Sequence, residues 1–500
     1  MSSNEVQGQG TADTGVLPAS AVSHRRRTVG RVLGPTVFVA MLLLPAPEGL
    51  EPAAWRVAAV AMLLAIFWLS EALPVAATAL LPLALFPTLG VAPIQQAAAP
   101  YANPLVFLFL GGFVIGLAIE RSNLHRRIAL TVLDRVGARE DFQIAGFIAA
   151  TAALSMWVSN TATAVMMLPV ALSIIPRDGN GNIEPAKAGF ATALLLSVAY
   201  GANIGGVATL IGTPPNALLA GFMLETYDVQ IGFAQWMLVG LPVSGIMLVL
   251  CWFVLTRWLY RVNRDELPGA RTAIAEALGA MGSTSTAEKR VGIVFAITAF
   301  LWISRPLLTN WFPELLLSDT GIAIFGALLL FVIPSGAGKG DYLMNWPYAE
   351  RLPWGVLLLF GGGLSLAAAV SDSGLAEGIG VALGGLDAWP TIMLVIVVTV
   401  LIVLLTELTS NIATSATFLP IVAALAVSVG SHPLLLSVPA VLAASFAFML
   451  PVATPPNAIV FSSGAISIPQ MVRAGIWLNV LGVMTIVLIV YLLIGAVFAV

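Results

Sequence analysis

Two polar runs interrupt segments otherwise built of Ala, Val, Leu, Met and Phe: Trp157-Val158-Ser159-Asn160-Thr161-Ala162-Thr163 and Leu408-Thr409-Ser410-Asn411-Ile412-Ala413-Thr414. Unpaired polar groups are costly in hydrocarbon, so such runs persist only where protein or an internal cavity satisfies them. The offset from Ser159 to Ser410 also carries Gly111-Gly112 to Gly362-Gly363, Leu124 to Leu375, and Leu168-Pro169 to Leu419-Pro420. A slightly shorter offset relates Gly212-Thr213-Pro214-Pro215-Asn216 to Ala453-Thr454-Pro455-Pro456-Asn457. The chain is therefore built twice from one plan, with two broken, polar points in each half. Paired discontinuous helices of this kind build a binding site near the bilayer midplane.

Composition agrees. The chain is 59% hydrophobic and only 9% charged, with a mean hydropathy of +0.97, whereas soluble domains carry about 25% charged residues. This is the composition of an all-α polytopic membrane protein. A net charge of −3 without a basic, aromatic-interleaved patch gives no footprint for nucleic acid. The single cysteine, Cys251, lies in an apolar run and excludes an intrachain disulfide framework. His24, His125 and His432 are scattered, so neither a His/Cys metal site nor a cofactor is implied. Residues 1–28 read as a disordered cytoplasmic tail leading into an uncleaved first span.

Apolar runs near 32–45, 55–70, 74–90, 103–119, 188–220, 233–258, 291–304, 321–334, 354–370, 433–461 and 475–500 are the expected spans. Two further segments, 143–172 and 391–428, carry a Ser-Asn motif near their middle and Pro169 or Pro420 soon after it. A span needs about 20 apolar residues, and a segment interrupted at its centre more naturally enters and leaves on one side. The expectation is about 11 transmembrane helices plus two re-entrant hairpins. With the N-terminus inside, every Lys and Arg except Arg56 and Arg305 falls on the cytoplasmic side, as the positive-inside rule requires. The two hairpins then enter from opposite sides, making the repeat inverted and leaving the C-terminus outside. Residues 261–290, rich in Ala, Gly, Ser and Thr, read as a cytoplasmic linker between the halves, with a short surface helix at Ala270–Met281 as the alternative. Residues 125–136 alternate charged and apolar side chains, as in a helix lying at the interface. Ala376–Leu386 is its Gly-rich counterpart.

Ser155, Ser159 and Asn160 stand at i, i+4 and i+5, and Thr406, Ser410 and Asn411 repeat that spacing. Oxygen ligands of this type suit a hard cation such as sodium. The neighbouring Thr-Pro-Pro-Asn turns release carbonyls around Gly212 and Ala453, because proline lacks the N–H and clashes with the preceding turn. One Ser-Asn alone reads more simply as side chains bonded back to their own helix. Two copies at matched offsets, each with its own proline-broken turn, outweigh that reading. Helix N-termini at the motifs favour an anionic substrate, and with no Lys or Arg nearby, bound cations must supply the compensating charge. Glu407, beside the second motif, reads either as a titrating group or as a support that bonds the hairpin tip. Glu71 and Asp372 read as interfacial, Cys251 as packing, and the paired glycines as points of close helix approach.

The chain resembles the divalent anion/sodium symporter family, the sodium-coupled carriers of dicarboxylates, citrate and sulfate. The resemblance rests on both Ser-Asn motifs, both Thr-Pro-Pro-Asn segments, and the stretch from Gly111-Gly112 to Leu124-His125-Arg126-Arg127-Ile128-Ala129. It implies an elevator-type transporter, homodimeric in the lipid of the plasma (inner) membrane. Its scaffold would comprise residues 29–139 and 291–390, and its transport domain residues 140–260 and 391–500. It further implies one sodium site at Ser155, Ser159, Asn160 and the Gly212 carbonyl, and another at Thr406, Thr409, Asn411 and the Ala453 carbonyl. Substrate carboxylates would meet Asn160, Thr161, Asn411 and Ile412, with Thr213, Pro214, Thr454 and Pro455 lining the site.

One residue departs from the pattern of many bacterial dicarboxylate members: the second motif reads Ser410-Asn411-Ile412, without a threonine hydroxyl at its third position. The leading expectation is sodium-coupled symport of C4-dicarboxylates by alternating access. Sodium-independent dicarboxylate exchange, and sulfate or citrate uptake, remain alternatives. A channel needs a continuous polar or charged ring, and an enzyme needs a nucleophile with a base or a second acid; the motifs supply neither.

Overall fold

Apolar runs punctuated by Pro and Gly fold here as helices. Among the described residues there is no β-strand, only isolated bridges between loops. The structure, a computed structural model, describes residues 19–267, 269–338, 340–382 and 388–498. The first helix, Ala19–Leu43, begins inside the segment expected to be a disordered tail, and it packs along Pro52–Ser70. Arg26 and Arg27 of that helix both pair with Glu71, at 3.2 and 3.1 Å.

Among the described residues, eight helices are long and apolar enough to cross a membrane. Some expected spans are single helices, such as Pro104–Arg121, Thr286–Trp311 and Trp354–Asp372. Others are broken. The run 74–90 divides into Val75–Thr78 and Leu81–Thr88. The run 188–220 divides into Ala188–Gly206 and Pro214–Tyr227, and 433–461 into Leu434–Ala444 and Pro455–Phe461. Proline opens the second piece of each of the latter two, where its missing N–H is harmless. Gly111 sets the spacing between Pro104–Arg121 and Asp319–Val332: a Cβ there would lie 2.7 Å from the Ala323 carbonyl carbon.

Within the linker between the halves, the alternative reading of a short helix at Ala270–Met281 is the one the structure shows, as Ala270–Ala280. Eleven residues form only a marginal helix alone, so packing decides. Ala270 and Ile274 are buried, and the helix lies against both the interfacial helix Leu124–Val136 and Asn160–Ile174. Arg127 ties the end of this linker down, reaching the Gly282 carbonyl at 3.0 Å and Glu288 Oε1 at 2.6 Å. The counterpart of Leu124–Val136 in the second half is the helix Leu375–Ala382; the end of the expected Ala376–Leu386 segment lies outside the described residues.

Each Ser-Asn motif forms the turn of a helical hairpin. Glu140–Ser155 and Asn160–Ile174 make the first, and Thr391–Thr406 and Asn411–Ser428 the second. At 1.5 Å per residue the helices of the first reach only about 24 and 22 Å, short of the ~30 Å hydrocarbon core. The two halves interlock with pseudo-twofold logic. Ala188–Gly206 packs on Pro455–Phe461 of the other half, and Leu434–Ala444 packs on Pro214–Tyr227. Likewise Asn160–Ile174 lies on Pro455–Phe461, and Asn411–Ser428 lies on Pro214–Tyr227.

Candidate functional site

At the first hairpin tip the Ser155 hydroxyl donates to Asn160 Oδ1. Beside them, the chain between Gly206 and Pro214 leaves the helix and folds back. The point where a Gly206 side chain would begin lies 2.8 Å from Asn160 Oδ1 and 3.1 Å from the Gly212 carbonyl oxygen. Only glycine leaves room there, and the vacated space brings Ser155, Asn160 and Gly212 together. Thr209 fastens the arrangement: its hydroxyl donates to the Met156 carbonyl at 2.6 Å and accepts from the Gly212 N–H at 3.1 Å. Ser159 also caps the hairpin's second helix, Asn160–Ile174: its hydroxyl accepts from the Ala162 N–H at 3.2 Å.

The second hairpin repeats the scheme. Thr406 Oγ1 lies 2.8 Å from Asn411 Oδ1 and 2.7 Å from the Ala444 carbonyl. Three oxygens converge on one hydroxyl proton, which makes the point rich in electron density and receptive to a cation. The Ala444 carbonyl is a neighbour of Thr406 that the sequence did not single out. Ala453 closes a turn, its N–H donating to the Leu450 carbonyl at 3.2 Å. Thr409 braces the hairpin through Thr414 Oγ1 at 2.6 Å and the Leu405 carbonyl at 2.8 Å.

The Thr-Pro-Pro-Asn turns answer an accounting question: where do the carbonyls freed by the helix breaks find donors? The asparagine supplies them. Asn216 Nδ2 donates to Val207 and Thr209 carbonyls at 3.2 and 2.8 Å. Asn457 Nδ2 donates to Ala447 and Leu450 carbonyls at 3.0 and 3.1 Å. Both asparagines are fully buried. Thr213 is buried and Pro214 half-buried at the start of the first turn, while Thr454 is buried and Pro455 exposed at the second. Thr161 is exposed and Ile412 half-buried at the two tips.

Glu407, Tyr200, Asn203 and Trp157 also hold this site; the sequence marks Glu407 and Trp157 but not Tyr200 or Asn203. Glu407 is buried, and its carboxylate accepts from the backbone N–H groups of Phe448, Met449 and Leu450 at 2.7 to 3.1 Å. That geometry clamps the unwound stretch rather than the hairpin tip. The first half has Met156 at the corresponding position, so the clamp exists in one repeat only. Tyr200 donates to the Phe448 carbonyl at 2.8 Å, and Asn203 Nδ2 to Thr454 Oγ1 at 3.0 Å, both from the opposite half. Trp157, at the first tip, stacks on Phe233 at 6.0 Å and meets Phe295 edge-on at 5.0 Å. A groove of about 610 Å³, lined by Gln235, Leu238, Arg305 and others, has no residue of either motif in its lining.

Inverted halves, two hairpins and two interlocked broken helices are an architecture with solved relatives. The fold resembles that of the Alcanivorax borkumensis YdaH transporter, with a TM-score of 0.58 over 95% of this chain and 98% of that one, at 14% identity. Residues 25–499 match the profile described as the sodium:sulfate symporter transmembrane region. The chain belongs to that family. The sodium-dependent dicarboxylate transporter SdcS of Staphylococcus saprophyticus is 43% identical over 472 residues, covering 93% of this chain and 91% of the relative. Its namesake in Staphylococcus aureus is 42% identical over 470 residues, covering 93% and 90%. Membership makes this chain an integral membrane transport protein and not an enzyme, and places the paired motifs inside the family's matched region.

Proposed function

We propose that the chain is a sodium-coupled symporter of C4-dicarboxylates working by alternating access. One observation carries the reading: each tip asparagine is turned so that Oδ1 joins an oxygen cluster while Nδ2 bonds no protein group among the described residues. An oxygen face attracts a cation, and a free amide donor attracts a carboxylate. One side chain therefore touches both solutes, which ties anion affinity to cation occupancy. The name carried by the staphylococcal relatives, a sodium-dependent dicarboxylate transporter, supports the same pairing.

In this reading one sodium ion sits among Ser155, Asn160 and the Gly212 carbonyl, with Ser159 capping the adjoining helix. Another sits among Thr406, Asn411 and carbonyls of the unwound stretch from Ala444 to Ala453, braced by Thr409. The substrate lies between the tips, against Asn160, Thr161, Asn411 and Ile412, with Thr213, Pro214, Thr454 and Pro455 around it. The hairpins and broken helices travel as one body against the remaining helices, within a homodimer in the plasma membrane, N-terminus inside and C-terminus outside.

The test is radiolabelled succinate uptake into proteoliposomes, with and without an inward sodium gradient and with and without internal dicarboxylate. Uptake that needs sodium and no internal substrate supports symport. Uptake that ignores sodium and needs internal dicarboxylate makes the protein an exchanger. No succinate uptake in either arrangement, with sulfate or citrate transported instead, removes the C4 assignment.

A further inference from the structure

The unwound stretch Ala447–Leu450 is held from four directions. Asn457 takes the Ala447 and Leu450 carbonyls, Tyr200 the Phe448 carbonyl, and Glu407 the three successive N–H groups of Phe448, Met449 and Leu450. The fourth direction is the C-terminal helix, Ile468–Phe498. Gly475 presses against the stretch so closely that a Cβ would lie 2.5 Å from the Met449 nitrogen. One turn on, Asn479 Nδ2 donates to Glu407 Oε1 at 2.7 Å. A further turn on, a Gly482 Cβ would meet the Phe446 ring at 2.8 Å. Gly475, Asn479 and Gly482 stand at i, i+4 and i+7, so they share one helical face.

We propose that Asn479 and Gly475 are positioning residues for the second cation site, an inference that rests on the symport reading above. Glu407 accepts several bonds at once, and its orientation decides where the three amides point. Asn479 fixes that orientation from outside the two motifs. Gly475 lets the C-terminal helix back directly against the stretch, because any side chain there would occupy the space of the Met449 backbone. The stretch begins three residues after Ala444, whose carbonyl meets Thr406, and ends three residues before Ala453. Its shape therefore fixes the carbonyls available to the second sodium ion. The first repeat, with Met156 in place of the carboxylate, carries no such clamp, so the effect is confined to one of the two sites.

The experiment compares full-length wild type, Asn479→Ala, Gly475→Ala and the control Val480→Ala, whose side chain is 48% exposed on the same helix. Asn479→Ala removes an amide whose oxygen already lacks a partner, so folding should survive. Amide hydrogen exchange across residues 446–453 of the purified protein reads the clamp. Succinate uptake against sodium concentration reads its consequence. Asn479→Ala should speed exchange in that stretch and raise the sodium concentration for half-maximal uptake about tenfold, with succinate half-saturation at saturating sodium moving less than about twofold. Gly475→Ala should move both readouts the same way, and Val480→Ala neither. Unchanged exchange, or a loss of rate with the sodium curve unmoved, overturns the proposal. A wild type indifferent to sodium overturns the symport reading itself, and the exchange measurement then decides the clamp alone.

Discussion

Asn203, in the first half of the chain, donates through Nδ2 to the Thr454 hydroxyl of the second half at 3.0 Å, and the same nitrogen reaches Asn457 Oδ1 at 3.3 Å. This is a bolt across the pseudo-twofold interface, and it is one-sided: Asn216 Oδ1, the mate of Asn457 Oδ1, is buried without a partner. Asn203→Ala leaves the buried Asn457 Oδ1 without its donor, while Thr454 Oγ1 keeps the Asn457 N–H at 3.3 Å. An unsatisfied buried acceptor costs about 1–3 kcal/mol, so the variant should melt earlier in detergent. It should lose uptake in proportion to the protein lost. Unchanged melting would show that a solvent molecule can replace the bolt.

Asn160→Ala and Asn411→Ala should each abolish uptake while leaving protein yield and melting close to wild type. The argument is the division of labour within each amide. Loss of Oδ1 takes one oxygen from a cluster, and loss of Nδ2 takes the donor meant for the substrate. Normal uptake in either variant would remove the cage from the mechanism.

Much of this was legible because polar runs in apolar segments are conspicuous. Ser159-Asn160 and Ser410-Asn411 announced the hairpins, and the Thr-Pro-Pro-Asn pairs announced the breaks. What stayed hidden was long-range. Asn479 and Asn203 are single polar residues in apolar helices, indistinguishable by pattern from a residue bonded to its own backbone. Their partners lie 72 and 251 positions away. Glu407 was visible, but its three amides belong to a stretch whose unwinding only the fold reveals. Ala444 has no polar side chain to mark it, so its carbonyl beside Thr406 left no signal in the sequence. The helix Ala270–Ala280 was legible only as an alternative to a linker, because its packing partners, Leu124–Val136 and Asn160–Ile174, are distant in sequence.

Ile412 occupies the third position of the second motif, half-buried next to Asn411. Ile412→Thr adds a hydroxyl at one end of the proposed anion site. A hydrogen bond to a charged group is worth about 1.5–3 kcal/mol, roughly a tenfold or larger change in relative affinity. Competition of succinate uptake by malate, citrate and sulfate should therefore reorder. An unchanged competition profile would place residue 412 away from the anion.

Trp157 joins the first hairpin tip to the helix Thr286–Trp311, stacking on Trp302 with ring centroids 6.5 Å apart and planes within 6°. Phe233 completes the stack, 4.6 Å from Trp302. Aromatic pairs of this type contribute about 0.5–1.5 kcal/mol beyond burial. Trp157→Ala and Trp302→Ala should each lower the melting temperature, and the double variant should lose less than their sum by about that coupling energy. Strict additivity would mean the rings are neighbours without interaction, leaving the first hairpin tip free of this contact.

Glu407 tests whether a buried carboxylate here holds backbone or moves protons. A carboxylate only accepts, which suits three facing N–H groups and Asn479 Nδ2. In Glu407→Gln one oxygen becomes an NH₂ group, set donor-to-donor against amides that have no other partner. The clash should cost about 1–3 kcal/mol, seen as a lower melting temperature and a rightward shift of the sodium curve. The pH profile of the remaining uptake should keep the wild-type shape, because the clamp carries no proton through the cycle. A profile that flattens in Glu407→Gln, with melting unchanged, would instead make Glu407 the proton-coupling group and leave the unwound stretch to Asn457 and Tyr200 alone.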